Sequence, residues 1–232
     1  LSSSSAASDV YKRQLLGTFN LHASLLPQYR GAAPINWAII NGEKESGVST
    51  FFLRHEIDTG DIIFQEKVKI ASDETAGSMH DKLMLKGAQL VVKTVEAIES
   101  NHVQSINQST LTKNLSTTHE APKIFREDCR IDWTLPVSKI DFFIRGLSPY
   151  PAAWSTLIHK ENKKELSVKI HFMKIINEDK SNFSRIYSSD NKILVQTLNG
   201  LIEITQLQVE GKKRLDGKSL LNGFNIDDYE LV

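Results

Sequence analysis

LLGTFNLHASLLPQYRG, residues 15–31, decides how the first half of the chain is read. Residues 15–23 begin as an apolar run and turn polar ahead of Pro27, which is the pattern of a buried strand leaving a sheet at its carboxyl end. Side chains two apart in a strand share a face, so Asn20 and His22 stand side by side where open α/β sheets place their ligands. An asparagine offers an amide donor to a developing oxyanion, and an unperturbed histidine, titrating near ~6.5, exchanges protons at neutral pH. Two polar residues at a strand end are also read as plain strand-end polarity. The pair by itself leaves both readings open.

Moving outward, residues 32–41 predict a helix: Pro34 suits its first turn, Ile35, Ala38 and Ile39 repeat at helical spacing, and Asn41-Gly42 stops it. Residues 47–54 and 62–70 predict two strands, a hairpin or near neighbours, with HEIDTGD (residues 55–61) between them. In that loop Gly60 permits a tight turn, and Asp58 is either a carboxylate able to orient a histidine or the head of an Asx-turn. Ser72 or Asp73 caps a long helix in which Met79, Leu83, Leu90, Val91, Val95 and Ile98 recur every three or four residues, ending near Ser100. Residues 101–121 turn to Ser, Thr, Asn and Gln with few large apolar side chains, as a linker does. Beyond them a short helix is expected from Pro136 to Arg145, closed by Gly146. Short strands follow at 152–159, 166–176, 186–188, 192–197 and 201–209. Turn clusters such as Asn199-Gly200 separate them, a spacing that suggests a small β-barrel.

Composition narrows the function classes. Lys plus Arg equals Asp plus Glu at 28 each, so no net field draws the whole molecule to nucleic acid or membrane, and any nucleic-acid contact must be local. Lys212, Lys213 and Arg214 form the sharpest basic cluster, which is otherwise an ordinary solvated turn. Cys129 is the single cysteine and cannot form an internal disulfide, which suits a reducing compartment. No apolar run approaches the ~18 residues that span a bilayer, and the expectation is a soluble, cytoplasmic protein without membrane contact. There is no Cys/His cluster, HExxH, phosphate-cradling glycine loop or nucleophile elbow, so no metal is expected. His55, His80 and His171 have no comparable neighbours in sequence and read as surface or satisfied structural residues. Residues 1–14, LSSSSAASDVYKRQ, lack an initiator Met and apolar periodicity, and read as a non-native or disordered leader.

NLHASLLPQYRGAAPIN followed by GVSTFFLRHEIDTGDII closely resembles the core of the folate-dependent formyltransferases. The resemblance implies a catalytic triad of Asn20, His22 and Asp58, with Ser24, Leu25, Leu26 and Pro27 in the folate-binding segment. YRGAAPI (residues 29–35), RIDW (130–133), IRGLSPYPAAW (144–154) and GKKRLDGKSLLNG (211–223) resemble the family's methionyl-tRNA branch. That branch implies transfer of a formyl group from 10-formyltetrahydrofolate to the α-amino group of methionyl-initiator tRNA, in bacterial translation initiation, by a monomer. The implied architecture is α/β: the C-terminal part of a Rossmann-like formyltransferase sheet over residues 15–100, a linker over 101–121, and a small OB-like barrel over 122–232. This barrel is the implied tRNA module, with Lys212, Lys213 and Arg214 as contacts. The first half of the family's catalytic domain has no counterpart here, so the chain as written is expected to be poorly active. The alternatives are a sugar-nucleotide amine formyltransferase and an inactive tRNA-binding fragment.

Overall fold

The computed structural model describes residues 16–112, 117–182 and 184–232; the leader expected over residues 1–14 lies outside them. The chain forms two compact units, one from residues up to 38, 43–72 and 78–123, the other from 39–42, 73–77 and 124–232.

The first unit is built on an antiparallel sheet of β1 (Phe19–His22), β3 (Glu45–Phe52) and β4 (Ile62–Lys69), with β3 central. A two-residue strand, β2 (Arg30–Gly31), and helix α1 (Pro34–Ile40) lie between β1 and β3 in the chain. The β3/β4 pair is the hairpin expected from the sequence, in register from Glu45 opposite Lys69 to Thr50 opposite Phe64, with a one-residue shift before Phe51 meets Ile62. Helix α2 (Ala76–Glu99) packs on one face of this sheet. A Cβ on its Gly87 would come within 2.6 Å of Leu21, and its Thr94 hydroxyl bonds that of Thr50 at 2.9 Å. Leu21 and Thr50 are partners in the β1/β3 register. Alternation along β1 therefore turns Asn20 and His22 to the face away from α2.

Helix α2 starts at Ala76, two or three residues later than a cap at Asp73 or Ser72 implies. Glu74 and Thr75 are buried ahead of it, and the Glu74 carbonyl accepts a bond from Arg145 at 2.8 Å. Its apolar stripe is buried at Met79, Leu83 and Leu90 and then passes to Thr94, leaving Val95 exposed. Residues 101–121 carry more structure than their composition suggests. Ile106 and Ile62 exchange two backbone hydrogen bonds of 2.8 Å, helix α3 (Gln108–Thr112) follows, and β5 (Glu120–Ala121) pairs in parallel with β2.

The second unit contains helix α4 (Val137–Leu147) and a seven-stranded antiparallel sheet. Its strands are β6 (Ala153–His159), β7 (Glu165–Asn177), β8 (Arg185–Ser189), β9 (Lys192–Thr197), β10 (Gly200–Val209), β11 (Leu215–Asp216) and β12 (Tyr229–Leu231). The order runs β12-β6-β7-β10-β9-β8, with β11 paired to β10, and Ser188 of β8 bonds Asp227, next to β12, through backbone and hydroxyl. The sheet thus curls into the nearly closed barrel that the strand spacing predicts. α4 places Ile140, Ile144 and Leu147 in its core, beside Leu157, Ile170, Ile193, Ile202 and Ile204. The helix passes through Gly146 and stops at Leu147, because Ser148 precedes Pro149 and is extended, with ψ 138°. Helix α5 (Gly217–Leu221) is capped by Asp216, whose carboxylate accepts from the Ser219 amide at 2.8 Å. That bond and the one from the Ser219 hydroxyl hold the Asp216 carboxyl below the usual range.

Candidate active site

On the face of the β1/β3/β4 sheet turned away from α2, His22 is buried, with 7% of its surface exposed. Its Nε2 lies 2.8 Å from the carbonyl oxygen of Tyr29, and a carbonyl can only accept, so Nε2 carries the hydrogen. The neutral ring therefore keeps its one lone pair on Nδ1. That nitrogen faces Asp58 Oδ2 at 3.6 Å, beyond hydrogen-bond length but within ion-pair distance. The same Oδ2 accepts from the Gly31 amide at 3.0 Å.

Asp58 reaches this position because of the turn that carries it. Its own φ is +53°, in the left-handed region that asparagine and aspartate tolerate better than most residues. Two residues on, a Cβ at Gly60 would lie 1.5 Å from the Phe52 carbonyl oxygen, so no side chain fits there. The turn is tight because the Phe52 amide donates back to the Asp61 carbonyl at 3.0 Å. Tyr29 is fixed as firmly: its amide donates to the His119 carbonyl at 2.6 Å, its hydroxyl donates to Glu43 at 2.6 Å, and its ring stacks on His119.

Asn20, on the same face as His22, is exposed, and its Oδ1 accepts from the Leu21 amide at 2.9 Å. The group it has to offer a substrate is the Nδ2 donor. Ser24, Leu26 and Pro27 are buried in a turn, and Leu25 is half-buried. The Ser24 hydroxyl donates to the Gln28 carbonyl at 2.6 Å, the Ser49 hydroxyl donates to the Ser24 carbonyl, and the Gln65 amide donates to the Leu26 carbonyl at 2.9 Å. Ser24 is thus committed to shaping the turn. Beside the Asp58 loop, Arg30, Arg54, His55, Glu56, Thr59 and Asn107 line an open cleft of about 650 Å³, a size in the range of small-molecule sites.

The basic cluster stands apart from these groups in sequence, in the turn from β10 to β11. Lys212, Lys213 and Arg214 are all exposed. Arg214 donates to Gln206 at 2.8 Å through Nε and lies over the Phe172 ring at 5.6 Å, and Lys212 lies 5.7 Å from the Phe224 ring. Gln108, which nothing in the sequence marks, is 1% exposed and bonded to the Asp58 turn. His171 departs from the surface or satisfied role expected of it. In the structure His171 is buried, and neither ring nitrogen has a hydrogen-bond partner. Burial, helped by Arg214 and Lys169, pushes its pKa down to about 4. Among the described residues, no cluster of His, Cys, Asp and Glu is placed to hold a metal ion, and no helix is long and apolar enough to cross a membrane.

A sheet presenting Asn20 and His22 opposite a tight Asp58 turn, followed by a β-barrel unit, fits a formyl transferase, and two family matches place the chain in that family. The family's formyl transferase domain matches residues 7–95 and its C-terminal domain matches residues 123–225. The methionyl-tRNA formyltransferase of Bacteroides thetaiotaomicron is 48% identical over 94% of this chain and 68% of its own length. That of Flavobacterium johnsoniae is 45% identical over 96% of this chain and 69% of its own. Among solved structures, HypX from Aquifex aeolicus in complex with tetrahydrofolic acid shares the fold. It has a TM-score of 0.64 at 20% identity, over 88% of this chain and 34% of that one.

Proposed function

We propose that this chain transfers the formyl group of 10-formyltetrahydrofolate to the α-amino group of methionyl-initiator tRNA. The observation that carries the reading is the approach of His22 and Asp58, 36 residues apart in sequence, to 3.6 Å on a face that also bears Asn20. Its acceptor is taken from the relatives named methionyl-tRNA formyltransferase, which run through both domains.

The amine nitrogen attacks the formyl carbon, the N–C bond forms, and the carbonyl oxygen becomes an oxyanion. Asn20 Nδ2 is placed to donate to that oxygen. The proton lost by the attacking amine goes to His22 Nδ1, the ring nitrogen with a lone pair, and Asp58 stabilises the resulting imidazolium. The carbon–nitrogen bond to the folate then breaks, and that nitrogen receives the proton as it leaves. Tyr29 holds the ring throughout by accepting from Nε2. The segment Ser24, Leu25, Leu26 and Pro27 shapes the wall against which the folate lies, with half-buried Leu25 the member that has surface to offer. Lys212, Lys213 and Arg214 contribute phosphate contacts that position the tRNA without reading its sequence.

Formyl transfer is measured with radiolabelled 10-formyltetrahydrofolate and initiator Met-tRNA, for the chain and for the chain preceded by the N-terminal third of the B. thetaiotaomicron relative. Formyl-methionyl-tRNA that disappears in His22→Ala is the expected result. A folded, folate-binding protein that leaves Met-tRNA untouched overturns the acceptor assignment.

A further inference from the structure

Gln108 lies in a stretch whose composition reads as linker, yet both ends of its carboxamide are engaged. Its Nε2 donates to the Asp58 carbonyl at 2.9 Å and to the Gly60 carbonyl at 2.7 Å. Its Oε1 accepts from Arg30, from Nε at 3.1 Å and from Nη2 at 2.6 Å. An amide nitrogen has two hydrogens, and here both enter one turn. The turn needs holding from outside, since Asp58 sits at φ +53° and its carboxylate must stay against His22. Two residues upstream, Ile106 is tied to Ile62 by paired backbone bonds, so Gln108 arrives at the turn along a fixed path. Arg30 adjoins Gly31, whose amide donates to Asp58 Oδ2. One side chain thereby ties the backbone of the Asp58 turn to the strand that holds the Asp58 carboxylate.

We infer that Gln108 is a positioning residue for formyl transfer, setting the Asp58 turn and, through it, the carboxylate that faces His22. The inference rests on the roles given above to His22 and Asp58. Misplacing a reacting group by about 1 Å typically costs roughly 10²-fold in rate. Gln108→Met keeps the length and bulk of the side chain and removes all four bonds. Gln108→Glu keeps the partnership with Arg30 and turns an oxygen towards two carbonyl oxygens.

The test has two arms, each run on the chain and on the chain preceded by the N-terminal third of the B. thetaiotaomicron relative. In the first, the ¹⁵N signals of the His22 ring, assigned by their loss in His22→Ala, report which nitrogen carries the proton. Gln108→Met is expected to move them in the direction that Asp58→Asn does. In the second, kcat for formyl transfer is expected to fall roughly 10- to 100-fold, with KM for the folate changed less than about threefold. Added to Asp58→Asn, Gln108→Met is expected to cost little more, because the residue it serves is already lost. If Gln108→Met fails to fold, Gln108→Glu takes its place, with activity partly recovered at lower pH as the carboxyl gains a proton to donate. Unchanged ring signals in a folded variant, or losses that multiply fully in the double variant, reduce Gln108 to a satisfied buried amide and overturn the inference. Should no form transfer a formyl group while the ring signals respond as expected, the functional reading fails and the positioning stands.

Discussion

His22 has one nitrogen donating to a carbonyl and the other facing a carboxylate, so its replacement removes the proposed proton acceptor and leaves Asp58 without the partner it opposes. His22→Ala is expected to lower kcat by roughly 10²- to 10⁴-fold, the usual span for a general base. Asn20→Ala, which removes one oxyanion donor, is expected to cost roughly 10²- to 10³-fold in kcat with the binding of folate nearly intact. Steady-state kinetics with each substrate varied separates these from a loss of binding. Asn20 and His22 were legible as a pair because a two-residue spacing in a strand is itself a geometric statement. Asp58 was legible as a candidate because Asp-Thr-Gly-Asp announces a turn. That the turn folds back onto His22 depends on the β3/β4 hairpin and on bonds from Gly31 and Gln108, which no local spacing encodes. Gln108 itself was hidden, since a glutamine among Ser, Thr and Asn carries no mark that it will be buried.

Elements were read well where apolar periodicity was strong and poorly where tertiary partners decide. The strands β6 to β10 fall within a residue of the runs seen in the sequence, while the two-residue strands β2, β5 and β11 have no run long enough to register. Within β7, His171 is buried with no hydrogen-bond partner on the ring, and its folded pKa of about 4 lies below the ordinary 6.5. The folded state therefore binds fewer protons than the unfolded chain between those values. Stability is fully present above pH ~6.5 and declines as pH falls towards ~4, by on the order of 2–3 kcal/mol. Denaturant unfolding across that range is expected to show the decline, and His171→Phe to flatten it. On the β10/β11 turn, Lys212 and Lys213 are assigned to phosphates, so replacing both by alanine should weaken tRNA binding and reduce the log-log salt slope by about 2. An unchanged slope removes them from the interface.

At the scale of the molecule, the two compact units divide the proposed reaction between a sheet that holds the reacting groups and a barrel that holds the nucleic acid. The balance of 28 basic and 28 acidic residues fits this division, because attraction to tRNA then has to come from local clusters. The barrel was legible as a class from strand spacing, and its closure through Ser188 and Asp227 was not, since that bond joins residues 39 apart. The most direct test is single-turnover formyl transfer from 10-formyltetrahydrofolate to initiator Met-tRNA. It is run on the chain extended by the N-terminal third of the B. thetaiotaomicron relative, with and without Asp58→Asn. Formyl-methionyl-tRNA formed by the parent and slowed at least roughly 10²-fold by Asp58→Asn is the predicted result. Transfer at an undiminished rate in a folded Asp58→Asn protein contradicts the His22–Asp58 site.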